Sequence, residues 1–319
     1  MKMARRSFLG LASAMGLCCS AGAAGGVDGV DENLSVFVSD VHVSGLPENS
    51  DAPRKRLERF VDEVLAMRPR PKRVVCLGDI AYLHGLPEDY AASKPAFSRL
   101  EAAGIDLVFC MGNHDRRSAF REAWPGHMEL SPVPGKAIRV VSLGTADLIV
   151  LDGLQGTDDR PRNDMGPGDG KLHDDEFAWC KAELPKWKRP FLVCSHFPIG
   201  ELGYKPKKGG KPVTLGSWLL RHAPMCKGYI HGHDHRWRPE WVKKDWKASE
   251  ILRTVCLPSN GLWGDIGHAV LRTSADRAVC SLEIRDFFFP REPETSARPA
   301  AWQMKVEENR GQKVTFLYA

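Results

Sequence analysis

Hydrophobic and polar positions along the chain follow two alternating spacings. Short apolar runs rich in valine, leucine and isoleucine, such as RVVCLG at residues 73–78, predict buried β-strands. Other segments place an apolar residue every three or four positions, as residues 53–67 do, and these predict amphipathic helices. Alternation of such strands and helices is typical of α/β proteins with parallel strand pairs.

The same patterns assign the individual elements. We predict strands at residues 34–39, 73–78, 105–112, 190–196 and 227–232, and a two-stranded hairpin over residues 138–153. We predict helices at residues 53–67, 88–103, 174–184 and 214–223. The last 70 residues are predicted to be mostly β, which makes the sheets mixed, and residues 156–170 and 205–211 to be loops.

Composition is that of a soluble globular protein, with 43% apolar and 27% charged residues among 319. No linker or repeat divides residues 33–319, which we predict to be one domain with a β-rich C-terminal part. The formal charge is +5, and without residues 1–26 there remain 42 basic against 40 acidic residues. This balance argues against nucleic acid or an anionic membrane as the main partner.

Residues 1–26 have the layout of an export signal: a basic start, a short weakly apolar run and small residues near Ala23. Arg5 and Arg6 precede Ser-Phe-Leu, which resembles the twin-arginine type that exports folded proteins. We therefore expect a periplasmic or extracellular protein, with an uncleaved membrane anchor as the alternative. No later segment is apolar enough to span a bilayer.

Seven cysteines follow the predicted signal, an odd number, and several lie within apolar runs such as LVCSH. Such cysteines are expected to be buried thiols rather than a disulfide framework. They are Cys76, Cys110, Cys180, Cys194, Cys226, Cys256 and Cys280.

Polar residues suited to bind metal follow five of the predicted strands. Because the carboxyl ends of parallel strands meet at one edge of a sheet, we expect these side chains to converge. The residues are Asp40, His42, Asp79, Asn113, His196, His233 and His235.

Two carboxylates, one amide and four imidazoles are too many donors for a single tetrahedral zinc ion. They suit two cations about 3.5–4 Å apart that share a bridging carboxylate. Mixed oxygen and nitrogen donors favour Mn, Fe or Zn, as two divalent ions or as Fe3+ with a divalent ion. Gly78, Gly112 and Gly232 each precede one of these residues, where we expect sharp turns and close backbone approach.

Five sequence blocks, in order across residues 40–235, resemble the signature blocks of the calcineurin-like metallophosphoesterases. They are Asp40-Val41-His42, Gly78-Asp79, Gly112-Asn113-His114-Asp115, His196 and Gly232-His233-Asp234-His235. The resemblance implies a four-layer α-β-β-α sandwich, in which two mixed β-sheets pack face to face between flanking helices.

The resemblance also implies residue roles. One metal would be held by Asp40, His42 and His235, the other by Asn113, His196 and His233, with Asp79 bridging the two. A metal-bridging hydroxide would attack a small phosphomonoester or phosphodiester, and His114 would act as the general acid. Asp115 would orient His114 or cap the following helix.

Longer stretches resemble the branch that includes cyclic-nucleotide phosphodiesterases: GNHDRRSAFREAWPG, GKLHDDEFAWCKAEL and GHDH. In contrast, GDIAY resembles the purple acid phosphatases, whose tyrosine binds ferric iron. That group usually has glycine where His42 stands, so we expect Tyr82 to pack at the pocket wall. A non-catalytic scaffold of the same fold is the third alternative, although His114 and all seven ligand positions are present.

The remaining polar and aromatic candidates have two interpretations each. Arg116 and Arg117 would clamp a phosphate or lie solvated at a helix start. Trp237, Trp241 and Trp246 would form a substrate platform or pack in the protein. Histidines without ligand spacing are expected to be structural or exposed; these are His84, His127, His173, His222, His231 and His268.

Overall fold

A computed structural model of the chain describes residues 29–155, 170–204, 213–243, 251–262, 264–274, 279–286 and 311–317. The predicted signal, almost all of the 156–170 loop and the whole 205–211 loop lie outside the described residues, as do Trp246 and the side chain of Cys280.

The described residues form six helices, and fourteen strands that are organised in two six-stranded sheets and one small pair. The strands are β1 Val30–Val38, β2 Arg70–Cys76, β3 Asp106–Phe109, β4 Arg139–Ser142, β5 Asp147–Val150, β6 Phe191–Cys194, β7 Gly203–Tyr204, β8 Val213–Thr214, β9 Cys226–His231, β10 Arg238–Lys243, β11 Ile251–Cys256, β12 Gly267–Thr273, β13 Val279–Asp286 and β14 Lys313–Leu317. The helices are α1 Ala52–Ala66, α2 Pro87–Ala102, α3 Arg117–Ala123, α4 Pro125–Glu129, α5 Asp174–Glu183 and α6 Leu215–His222.

Both large sheets are mixed, as predicted. In the first sheet the order is β14-β13-β12-β1-β2-β3, and β1, β2 and β3 run parallel. In the second the order is β10-β11-β9-β6-β5-β4, and β5, β6, β9 and β11 run parallel. The hairpin of β4 and β5 is antiparallel.

The inner faces of the two sheets enclose a continuous apolar core. Phe37 and Val75 of the first sheet belong to the same buried cluster as Leu192 and Ile230 of the second. The opposite faces are covered by helices, and the apolar stripe of α1 packs there, with Leu57, Phe60, Val61 and Val64 fully buried. The four-layer arrangement predicted from the family resemblance is confirmed.

Several elements were missed by the hydrophobic pattern. Strand β10 reads RPEWVK and contains Pro239, which lacks an N–H for the ladder; it lies at the edge of its sheet, where proline is tolerated. Helices α3 and α4 are seven and five residues long, too short for a periodic stripe to stand out.

The predictions for thiols and membrane spans have clear outcomes. The six cysteines whose side chains are described are free, and five of them are buried. Within the described ranges, every helix is too short or too polar to cross a membrane.

Replacing Leu192 by alanine is expected to lower the free energy of unfolding by about 2–5 kcal/mol, because Leu192 is fully buried between the sheets. The same change at Leu130, which is 63% exposed, should alter it by less than about 0.5 kcal/mol. Urea unfolding of both variants measures this difference. Equal changes in the free energy of unfolding would contradict the burial of Leu192 between the sheets.

Candidate metal centre

The predicted ligand residues come from the carboxyl ends of strands in both sheets. Asp40 and His42 follow β1, Asp79 follows β2 and Asn113 follows β3 in the first sheet, and His196 follows β6 in the second. His233 and His235 follow β9, also in the second sheet. The sequence argument placed these strand ends at one edge of a sheet; in the structure two neighbouring sheets contribute.

The backbone at these positions is unusual. Among the described residues, the non-glycine residues with positive φ are Asp40, His42, Asp79, His233 and His235, with φ between 49° and 73°. All five are predicted ligands. A left-handed residue costs energy and persists where its surroundings over-determine it, so such residues cluster at functional sites.

Four donors form the first group. Nε2 of His235 lies 3.1 Å from Oδ1 of Asp40 and 3.3 Å from Nε2 of His42. The same Nε2 atom of His42 lies 3.6 Å from Oδ2 of Asp79. One donor atom from each of these four residues lies within 4.8 Å of all the others, and all four residues are buried. Together these side chains could hold one metal ion.

A second group shares Asp79 with the first. Oδ1 of Asn113 lies 2.9 Å from Nε2 of His196 and 2.9 Å from Nδ1 of His233. Nε2 of His196 is 3.3 Å from Oδ2 of Asp79. Donors about 2.0–2.2 Å from one cation lie roughly 3 Å from each other, so these spacings suit a second ion.

Backbone carbonyls orient three of the imidazoles. Nδ1 of His42, His196 and His235 hydrogen-bonds to the carbonyl of Tyr82, Leu77 and Leu262 respectively, at 2.8–3.1 Å. A carbonyl only accepts, so each Nδ1 carries a proton, and in the neutral ring Nε2 presents a lone pair to the cluster. This arrangement is typical of metal-binding histidines, and the donor set fits cations.

The electrostatics of the cluster also favour positive charge. Burial alone would raise the pKa of both carboxyls, but nearby His235 and His196 hold the pKa of Asp40 and Asp79 below the usual range. Burial alone would lower the pKa of His196, whereas the Asp79 carboxylate raises it to about 10. For His42, burial dominates and lowers the pKa to about 4.

Glycines allow the strand-end loops to come this close. A Cβ on Gly112 would lie 2.1 Å from Oδ1 of Asp79, and one on Gly232 would lie 1.9 Å from Oγ of Ser39. Gly78 has φ +88°. The expectation of sharp turns and close approach is met, although the close neighbours are residues of adjacent loops.

His114 lies beside Asp79 at the half-buried edge of the cluster. Its backbone N–H donates to Oδ1 of Asp79 at 2.8 Å, and its Nε2 lies 3.9 Å from Oδ2 of the same carboxylate. Its Nδ1 donates to the carbonyl of Leu83 at 3.0 Å. The ring is therefore held by a backbone group and turns Nε2 toward the donors.

Asp115 does not contact the His114 ring and does not cap helix α3. Its carboxylate accepts hydrogen bonds from the N–H groups of Ile80, Ala81 and Gly112 and from the Tyr90 hydroxyl, while Leu83 orients His114. Helix α3 has no side-chain cap. Burial, and then the neighbouring Asp79 carboxylate, raise the pKa of Asp115 to about 6.

Arg117 is neither solvated nor free to clamp a phosphate. It forms a buried pair with Asp152, with N–O distances of 2.8 and 2.6 Å. Glu176 accepts bonds from the N–H groups of Asp152 and Gly153. Burial, and then the Asp152 charge, raise the pKa of Glu176 to about 8. Asp152 follows β5 as the predicted ligands follow their strands, so sequence position alone does not separate a buried ion pair from a metal ligand.

Other candidates have mostly structural roles. His231 is buried and contacts the Gly232 carbonyl, and burial lowers its pKa to about 4. Trp237 is buried between the sheets, whereas Trp241 is 65% exposed on β10. Tyr82 contributes its carbonyl to His42, and the expectation that its phenol packs at the pocket wall stays a prediction.

Comparison with known proteins identifies the family. A model of the calcineurin-like phosphoesterases matches residues 35–237. The match covers more than half of the chain, so the chain belongs to this family, as its sequence blocks predict.

Individual relatives agree with this assignment. A probable cyclic nucleotide phosphodiesterase from Rhodococcus erythropolis is 29% identical over 175 residues, 53% of this chain and 53% of that protein. The chain thus spans about half the length of the curated relative it matches. A dimetal phosphatase from Danio rerio has a similar fold, with a TM-score of 0.59 and 16% identity over 90% of this chain and 99% of that one.

Replacing Gly112 by alanine is expected to weaken Mn2+ binding by about 10–100-fold, because the new Cβ would displace the shared Asp79 carboxylate. Gly126 is the matched control, since a Cβ there meets nothing within 4 Å. Calorimetric Mn2+ titration of both variants tests the site. Unchanged binding in the Gly112 variant would contradict the role of Asp79.

Proposed function

We propose that this protein is an exported, dinuclear-metal hydrolase of small phosphomonoesters or phosphodiesters. One observation carries the proposal: seven donors form two groups that share Asp79, and His114 lies beside the shared carboxylate. Membership of the family supports a phosphoester hydrolase. Export is proposed from the pattern of residues 1–26 alone.

The side chains would have two separate tasks: the two donor groups would bind the cations, and His114 would transfer a proton. Two bound cations would neutralise phosphate oxygens and lower the pKa of water, which supplies a nucleophile near neutral pH. Because Nδ1 of His114 keeps its proton in the bond to Leu83, Nε2 carries a proton only in the imidazolium form. We propose that this proton passes to the departing oxygen.

For the substrate, we favour compounds of the size of a cyclic nucleotide. The support is the similarity to the probable cyclic nucleotide phosphodiesterase and the lack of a large basic excess outside residues 1–26. Mn, Fe or Zn are the proposed metals, since the donors are oxygen and nitrogen.

Replacing His114 by alanine is expected to lower kcat by about 10²–10⁴-fold, the usual contribution of a general acid. Bound metal should be retained, because the backbone N–H that donates to Asp79 survives the change. The assay uses purified protein with added Mn2+ on p-nitrophenyl phosphate and bis(p-nitrophenyl) phosphate, with metal analysis of the same samples.

A matched control for this experiment is His222→Ala, on the exposed side of α6, where the ring packs on Trp218. It should leave kcat and metal content unchanged. Wild-type protein that binds two metals and cleaves no ester would favour the non-catalytic scaffold. Full activity in the His114 variant would remove its assignment as the acid.

The purple acid phosphatase alternative has a spectroscopic test. We expect iron-loaded protein to lack a tyrosinate-to-iron absorbance band, and Tyr82→Phe to leave turnover unchanged, since the carbonyl that orients His42 remains. A visible band that disappears in the Tyr82 variant would instead establish the phenol as a ligand.

A further inference from the structure

One short segment, Asp79–Leu83, holds a large part of the centre in place. It begins with the carboxylate shared by the two donor groups. Its Tyr82 carbonyl accepts from the His42 ring at 2.9 Å, and its Leu83 carbonyl accepts from the His114 ring at 3.0 Å. A shift of this segment would therefore turn the imidazole assigned as the general acid.

Asp115 fixes the middle of that segment. Oδ1 accepts from the N–H groups of Ile80 and Ala81, both at 3.1 Å, and from the Tyr90 hydroxyl at 3.0 Å. Oδ2 accepts from the N–H of Gly112 at 2.9 Å. One buried carboxylate thus joins the loop after β2 to the turn after β3.

Tyr90 on α2 completes the hydrogen-bond network around Asp115. Its hydroxyl donates to Asp115 and accepts from the N–H of Arg116 at 2.8 Å. Tyr90 is fully buried and packs edge-on against Phe120 and Trp124. Helix α2 therefore helps to fix the position of Asp115.

We propose that Asp115 is a positioning residue for general-acid catalysis: it holds segment Asp79–Leu83 against the Gly112–Asp115 turn, so that the Leu83 carbonyl directs Nε2 of His114 at the leaving group. The inference rests on the proposed hydrolase function and deepens it. Asp115 itself contacts backbone groups and the Tyr90 hydroxyl, and it acts through them.

The experiment compares Asp115→Asn with wild type on two esters, p-nitrophenyl phosphate and phenyl phosphate, at saturating Mn2+. An amide cannot accept at both positions, so at least one backbone N–H loses its partner. Phenolate is the poorer leaving group and depends more on protonation. We expect kcat on phenyl phosphate to fall about 10²-fold, as for a catalytic group misplaced by about 1 Å, and kcat on p-nitrophenyl phosphate to change little.

His114→Ala should lose kcat on both esters, and more on phenyl phosphate than on p-nitrophenyl phosphate; a double variant should lose no more than the His114 variant alone. Asp147→Asn is the matched control. Asp147 is a buried aspartate at the amino end of β5, and its carboxylate accepts a hydrogen bond from the Trp187 indole N–H. This variant should leave the ratio of the two kcat values unchanged. If Asp115→Asn does not fold, Tyr90→Phe removes one of the hydrogen bonds to Asp115, together with the one from the N–H of Arg116, and should show a smaller selective loss.

Equal losses on both esters, or no loss on either, would overturn the role of Asp115. A loss that follows reduced bound Mn2+ would also overturn it, since Asp115 would then act through the ligands rather than through His114. Wild-type protein that cleaves neither ester would instead refute the proposed function, and the inference with it.

Discussion

Close approach of strand-end loops is the constraint on which the candidate centre depends. Seven donors can gather only if the loops after β1, β2, β3, β6 and β9 touch. The chain achieves this with glycines at Gly112 and Gly232, where any side chain would collide with a neighbouring loop. It also places five of the predicted ligands in left-handed backbone, at about 1–3 kcal/mol each. The apolar core between the sheets must offset that strain.

Backbone carbonyls fix the orientation of the imidazole side chains at the centre. Carbonyls of Leu77, Tyr82, Leu83 and Leu262 orient four imidazoles, three in the donor groups and one on His114. Such groups move only when the chain moves, so the geometry of the centre depends on the register of loops and sheets. The role proposed for Asp115 follows, because its carboxylate binds those loops by their N–H groups.

Asp152 shows why position after a strand is an incomplete guide to function. It follows β5 as Asp40 follows β1, yet it pairs with Arg117 in a buried network that also includes Glu176. This network ties the start of α3 to the second sheet. The charge of Arg117, which lies close in sequence to the Gly112–Asp115 block, is neutralised there.

The sequence by itself determined the elements with strong periodicity, the strand ends that carry donors, and the family. These depend on local spacing: an apolar stripe such as that of α1, or glycine followed by a ligand, has the same meaning wherever it folds. Tertiary structure alone decided that two sheets, rather than one, supply the centre. It also decided that Asp115 binds backbone N–H groups and that Arg117 is paired. Those outcomes depend on contacts between residues 35 to 193 positions apart in the chain, and local spacing does not specify which distant loop a polar side chain will meet.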